Sequence, residues 1–132
     1  MGIGRVMIVD DEVQYVDVVA FKFRNAGLEV LVARDGQEAL NIATTELPNV
    51  IVSDYQMPVL NGLELCRRLR AVPATAKTPF LLLTAHGLDI DEDVLADVGV
   101  TAVMGKPFSP RELLARALEL LNESQSCSRA AP

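Results

Sequence analysis

VMIVDDE, residues 6–12, sets three acids directly after four apolar residues. A short run that is apolar on consecutive positions suits a strand buried on both faces. Asp10 and Asp11 stand where that strand would end. A second run, VIVSDY (residues 50–55), also delivers an acid at its end, Asp54. Turn chemistry explains any one of these acids, because Asp favours caps and turns. It does not explain why two of the most hydrophobic runs both end in carboxylates.

Working outward, five runs of this kind recur: RVMIV (5–9), LEVLVA (28–33), VIVS (50–53), FLLLT (80–84) and TAVM (101–104). The segments between them have helical spacing. Residues 12–25 carry Val13, Val16, Ala20 and Phe23, with Gly27 as a stop. Residues 36–46 carry Ala39, Leu40 and Ala43; 62–70 carry Leu65, Cys66 and Leu69; 90–98 carry Val94, Leu95 and Val98. The acidic run DIDED (89–93) falls at the start of the last of these, where negative charge suits a helix dipole. A final helix opens on Ser109, Pro110 and Glu112, a capping-box pattern, and carries Leu113, Leu114, Leu118 and Leu121. Five strands alternating with five helices predict a parallel α/β sheet covered on both faces. Residues 122–132, NESQSCSRAAP, are polar without a period. We expect one folded domain over 5–121 and a disordered tail or linker stub over 122–132.

The bulk numbers agree. At 132 residues the chain suits a single domain with a real core. Net charge is −6, from 18 acids and 12 bases, with no basic run longer than Arg67-Arg68. Direct contact with nucleic acid is not expected. Cys66 and Cys127 have neither pairing nor metal spacing and read as reduced thiols. No apolar stretch reaches the ~18 residues of a membrane helix, and the start has no leader pattern. We expect a cytoplasmic protein.

In an open parallel sheet, ligands bind beyond the carboxyl ends of the strands, where strand order reverses. With the order 2-1-3-4-5, strands 1 and 3 flank that point. Asp10, Asp11 and Asp54 would meet there, with Thr84 ending strand 4 and Lys106 following strand 5 on the same edge. Close carboxylates repel, and a bound cation relieves them; an oxygen cluster with room for water suits Mg²⁺. Such a site attracts a phosphoryl group, and a carboxylate beside it can form an acyl phosphate. Spacing alone does not say which carboxylate attacks.

These residues carry a resemblance. VDDE (9–12), SDYQMPVLNG (53–62), LLLTA (81–85) and MGKPFSPRELLARALELL (104–121), in this order, resemble the receiver domain of two-component response regulators. The resemblance implies a flavodoxin-like, doubly wound (βα)5 fold. It implies Mg²⁺-dependent phosphotransfer to Asp54 from a histidine kinase or histidine phosphotransfer protein, switching conformation and partner binding. Asp11 would be a direct metal ligand, Asp10 an outer one through water, and the main-chain carbonyl of Gln56 a further one. Thr84 would be the switch hydroxyl and Lys106 the partner of the phosphoryl oxygens. Pro107 would be a cis proline that aims Lys106, and the small Ala85 would leave the group accessible. Gln56 and His86 hold positions that tune autodephosphorylation in this family. The domain would lose its own phosphoryl group without external turnover. PRELLARALELL (110–121) resembles the last helix of regulators with a DNA-binding domain. A downstream protein partner or an output domain beyond these residues is therefore the expected association; a phosphorylation-dependent homodimer is possible, but the pairing those regulators make through this face is not carried over. The strand-5 charges used in that pairing are absent from TAVM.

One position departs from the family. Val103 stands where most receivers carry Tyr or Phe, and a valine cannot fill the volume into which that ring rotates. A receiver-like interaction module that is never phosphorylated is the alternative Val103 supports. An aspartyl-phosphate phosphatase of the haloacid dehalogenase type would need a second Asp, where Asp54-Tyr55-Gln56 has Gln. An FMN carrier would place its phosphate against Asp10 and Asp11, which repel it.

Overall fold

The computed structural model describes residues 4–57, 59–84, 90–105 and 109–130. The apolar runs form β1 (Gly4–Val9), β2 (Leu28–Ala33), β3 (Val50–Asp54), β4 (Phe80–Thr84) and β5 (Ala102–Gly105). They alternate with α1 (Val13–Asn25), α2 (Gly36–Glu46), α3 (Gly62–Arg70), α4 (Glu92–Val98) and α5 (Pro110–Ala130). Every strand pairing is parallel and the order is β2-β1-β3-β4-β5, the flavodoxin-like arrangement expected.

Strand alternation divides the core into two layers. Val6, Ile8, Val50, Val52, Leu81 and Leu83 face α1 and α5, which bury Val16, Phe23, Leu113 and Ala117 against them. Met7, Val9, Ile51, Phe80 and Leu82 face α2, α3 and α4, which contribute Ala39, Leu65, Cys66, Leu69 and Val98. The central strands β3 and β4 are buried throughout, hence their unbroken apolarity; the edge strands β2 and β5 are partly exposed. Cys66 is fully buried, and burial pushes its thiol pKa up against the opposing pull of Arg70.

Some boundaries differ from the sequence reading. α4 starts at Glu92 rather than at 90, because the Asp91 side chain caps it by accepting from the Asp93 N–H at 2.8 Å. β5 runs one residue later than TAVM, to Gly105. The largest difference is α5, which continues to Ala130, so residues 122–130 are helical where an irregular tail was expected. No Gly or Pro interrupts them, and a helix nucleated by packing propagates through polar residues at little cost. Leu121 is the last core residue of α5 among the described side chains. At the other end of the helix, Ser109 Oγ accepts from the Glu112 N–H at 3.1 Å, as the capping pattern predicts.

α4 is held to the body at its C-terminal end. Arg70 of α3 donates from Nε and Nη2 to the Gly99 carbonyl, at 3.1 and 2.8 Å, and from Nη1 to the Thr75 carbonyl at 3.1 Å. One guanidinium thus joins α3, the short 3-10 turn Pro73–Thr75 and the end of α4. Arg70→Met keeps the aliphatic stem and removes the donors. Its expected cost is about 2 kcal/mol, the range of hydrogen bonds to a charged group. The check is the urea midpoint at unchanged m-value; a midpoint equal to the parent's would show that water replaces the guanidinium.

Candidate functional site

The register brings three strand ends to one edge. β1 and β3 pair from Val6 beside Val50 to Val9 beside Ser53, and β3 meets β4 with Asp54 beside Leu83. The ladder extends one step past β1, where the Asp10 N–H donates to the Ala33 carbonyl at 3.1 Å. Asp10 therefore keeps strand alternation with Ile8, and Asp54 with Val52. Both side chains lie on the α1–α5 side of the sheet.

Oxygens of Asp10, Asp11 and Asp54 lie within 4.8 Å of one another. Asp10 and Asp54 are 2% and 8% exposed, whereas Asp11 is exposed, so the cluster is sunk into the fold and open at one side. Two buried carboxylates beside a third need compensation. Main-chain donors supply part of it. Asp10 Oδ1 accepts from the Glu12 N–H and Asp54 Oδ1 from the Tyr55 N–H, each at 3.0 Å. Asp10 thus does make the turn of the plainer reading, with one oxygen; its Oδ2 is buried. The donor set is oxygen only, which fits a hard divalent cation that retains water. Asp10, Asp11 and Asp54 would hold it. Gln56 follows on the same loop with an exposed side chain.

Thr84 reaches this edge from the other layer. It is buried at the end of β4 beside Gly105, and alternation puts it with Leu82 on the α2–α4 side. Val103 is the register partner of Leu82 and shares that side. It is 44% exposed, so the short side chain leaves this part of β5 open to solvent. Lys106, Pro107, Ala85 and His86 lie outside the described residues.

Tyr15 is a neighbour of the cluster that sequence reasoning missed. Its ring packs against the α1–α5 layer and its hydroxyl oxygen is buried. Burial pushes its pKa above the ordinary tyrosine range, and the charges of Asp10, Asp54 and Glu12 push the same way. The only signal in the sequence was an aromatic residue in the first turn after the acids.

A doubly wound sheet with a carboxylate-lined cleft where its strand order reverses defines a class of α/β protein that binds its ligand at that point. Within this class, residues 6–118 match the model of the response regulator receiver domain, and the chain belongs to that family. It is 38% identical over 121 residues to the alkaline phosphatase synthesis transcriptional regulatory protein PhoP of Bacillus subtilis (strain 168), covering 92% of this chain and 50% of that protein. The chain spans about half the length of the curated relatives it matches. The chemotaxis response regulator CheY4 of Vibrio cholerae has a similar structure, with a TM-score of 0.79 and 35% identity, over 89% of this chain and 97% of that one. So does the receiver domain of sensor histidine kinase PA1611 from Pseudomonas aeruginosa PAO1, a structure with a magnesium ion coordinated in the active site cleft; its TM-score is 0.81 at 26% identity, over 92% of this chain and 99% of that one. Among the described residues no helix is long and apolar enough to cross a membrane.

Proposed function

We propose that this receiver is a phosphorylation switch with Asp54 as acceptor. The observation that carries the reading is the convergence of Asp10, Asp11 and Asp54 to within 4.8 Å at the switch point of a receiver fold. An Asp54 oxygen attacks the phosphorus of a phosphohistidine on a histidine kinase or histidine phosphotransfer protein. The O–P bond forms, the N–P bond breaks, and the freed imidazole takes up a proton. The Tyr55 N–H fixes Asp54 through Oδ1. Asp11, which is exposed, Asp10, held in its turn, and the main-chain carbonyl of Gln56 would hold Mg²⁺ together with Asp54. When bound, the cation would neutralise charge on the phosphoryl oxygens.

Thr84 and Lys106 take the remaining phosphoryl oxygens. Because Thr84 belongs to the α2–α4 layer, its movement toward the group is felt on the side where Val103 is exposed. Gln56 and His86 set how long the acyl phosphate lasts, and no external substrate is turned over. The packed unit is 5–121, with 122–132 leading toward an output domain or a protein partner in the cytoplasm. Phosphorylation-dependent pairing of two copies belongs to the same reading. The exposure of Val103 favours a second reading, an interaction module that is never phosphorylated.

Incubation with acetyl phosphate and Mg²⁺, followed by intact mass, separates the two. The expected result is a gain of one phosphoryl group, absent when EDTA is added first. A folded protein that binds Mg²⁺ but gains nothing, from this donor or from a phosphohistidine protein, would leave only the second reading.

A further inference from the structure

We infer that α3 is a strut that carries the state of Asp54 to α4, with the Arg70 guanidinium as its joint. The inference rests on the reading of Asp54 as phosphoryl acceptor and adds a route that bypasses β5, where Val103 is short and exposed. α3 is tied at both ends. Its first residue, Gly62, donates to the Tyr55 carbonyl at 2.8 Å, and a Cβ there would stand 2.6 Å from the Asp54 carbonyl oxygen. Tyr55 links the helix to the acceptor, because its N–H donates to Asp54 Oδ1 at 3.0 Å. About 12 Å further along the helix axis, Arg70 ends α3 and closes on the Gly99 carbonyl with two donors. The Thr75 carbonyl takes a third donor, and the buried Thr75 hydroxyl donates back to the Leu69 carbonyl at 2.6 Å, so the guanidinium is braced from behind. Gly99 caps α4 at a φ of 94°, and a Cβ there would stand 3.0 Å from Arg70 Nε.

Among the described residues, α3 is the element that α4 packs against most. Val98, the one buried residue of α4, has its carbonyl oxygen 3.9 Å from Cys66 Sγ, again on α3. Leu65, Cys66 and Leu69 are fully buried, so α3 moves as a body, by the small sliding open to packed helices. Phosphorylation takes the charge off the Asp54 carboxyl group and so weakens the charge-assisted hydrogen bond from the Tyr55 N–H. Tyr55 shifts, Gly62 follows its carbonyl, and Arg70 passes the shift to the end of α4. Coupling of this kind is reciprocal, so a load on α4 acts back on Asp54.

Hydrogen exchange tests the strut. It is read at the Gly99 and Val100 amides, which both donate to the Leu95 carbonyl, against the Val16 amide of α1 as a measure of overall stability. Acetyl phosphate and Mg²⁺ are kept present, and uptake is verified by intact mass. Phosphorylation of the parent is expected to change exchange at Gly99 and Val100 by about fivefold. In Arg70→Met that change disappears, while the change at the Leu65 amide, near the acceptor end of α3, stays. Gly62→Ala displaces the acceptor end without any phosphoryl group, and it is expected to change Gly99 and Val100 relative to Val16. A full response at α4 in Arg70→Met would send the signal through β4 and β5 and overturn the inference. So would a phosphorylated parent whose α4 does not respond. A parent that gains no phosphoryl group would overturn the reading of Asp54 as acceptor; the Gly62→Ala arm then decides the strut by itself, and unchanged exchange at Gly99 and Val100 there would overturn it.

Discussion

The Asp54→Asn variant takes up no phosphoryl group under conditions that load the parent once, and in EDTA it unfolds at a higher temperature than the parent. The first half follows from chemistry: an amide is a poor nucleophile where a carboxylate is a competent one. The shape is kept, because the amide oxygen can still accept from the Tyr55 N–H as Asp54 Oδ1 does. The second half follows from charge. Three carboxylates with oxygens within 4.8 Å form three repulsive pairs, and neutralising Asp54 removes two of them. At an effective dielectric of about 20, each such pair repels by on the order of 3 kcal/mol before hydrogen bonds and solvent offset it. A net gain of about 1–2 kcal/mol is expected, several degrees for a domain of this size. Mg²⁺ narrows the gap, since an ion that binds only the native state raises the stability of the form that binds it better, the parent. Melts in EDTA and in Mg²⁺, read beside the intact mass, test both halves. A variant that melts below the parent in EDTA would mean the carboxylates do not strain the fold.

The convergence of acids was legible because it depends on strand ends alone. Once β1 and β3 are read as buried neighbours, Asp10 and Asp54 have nowhere else to go. Which side of the sheet each side chain takes was harder to read. That Thr84 and Asp54 approach from opposite layers depends on the exact end of each strand, and a shift of one residue reverses the answer. The helical faces were legible to within a rotation. α5 buries Leu113, Ala117, Leu120 and Leu121, while Leu114 and Leu118, equally apolar, are only partly covered. Tyr15 escaped because the apolar spacing of residues 12–25 passes over it, and only the packing of α1 shows its hydroxyl to be buried. The extension of α5 escaped because polarity without a period is also what an exposed helix looks like.

Gly62→Ala tests how rigidly the acceptor is held. Gly62 opens α3, and its N–H donates to the Tyr55 carbonyl at 2.8 Å. Propensity favours the substitution, because Ala exceeds Gly in a helix by up to about 1 kcal/mol. Space opposes it. A Cβ there would lie 2.6 Å from the Asp54 carbonyl oxygen, 2.6 Å from Leu82 Cδ1 and 3.1 Å from Tyr55 Cα. Leu82 can change rotamer, but the Asp54 carbonyl moves only if the strand end carrying the acceptor moves. The connecting loop has little slack: Val59 already sits at a φ of 71°, unusual for a β-branched residue. Overpacking should therefore win, with a loss of about 1–3 kcal/mol and slower phosphorylation of Asp54 in the folded fraction. Gly105→Ala is the matched control, since a Cβ there meets nothing within 4 Å among the described residues. Its stability should stay within about 0.5 kcal/mol of the parent's. If Gly62→Ala melts with the parent and gains its phosphoryl group at the parent's rate, the loop over residues 55–61 absorbs the methyl group and Asp54 is not held against α3.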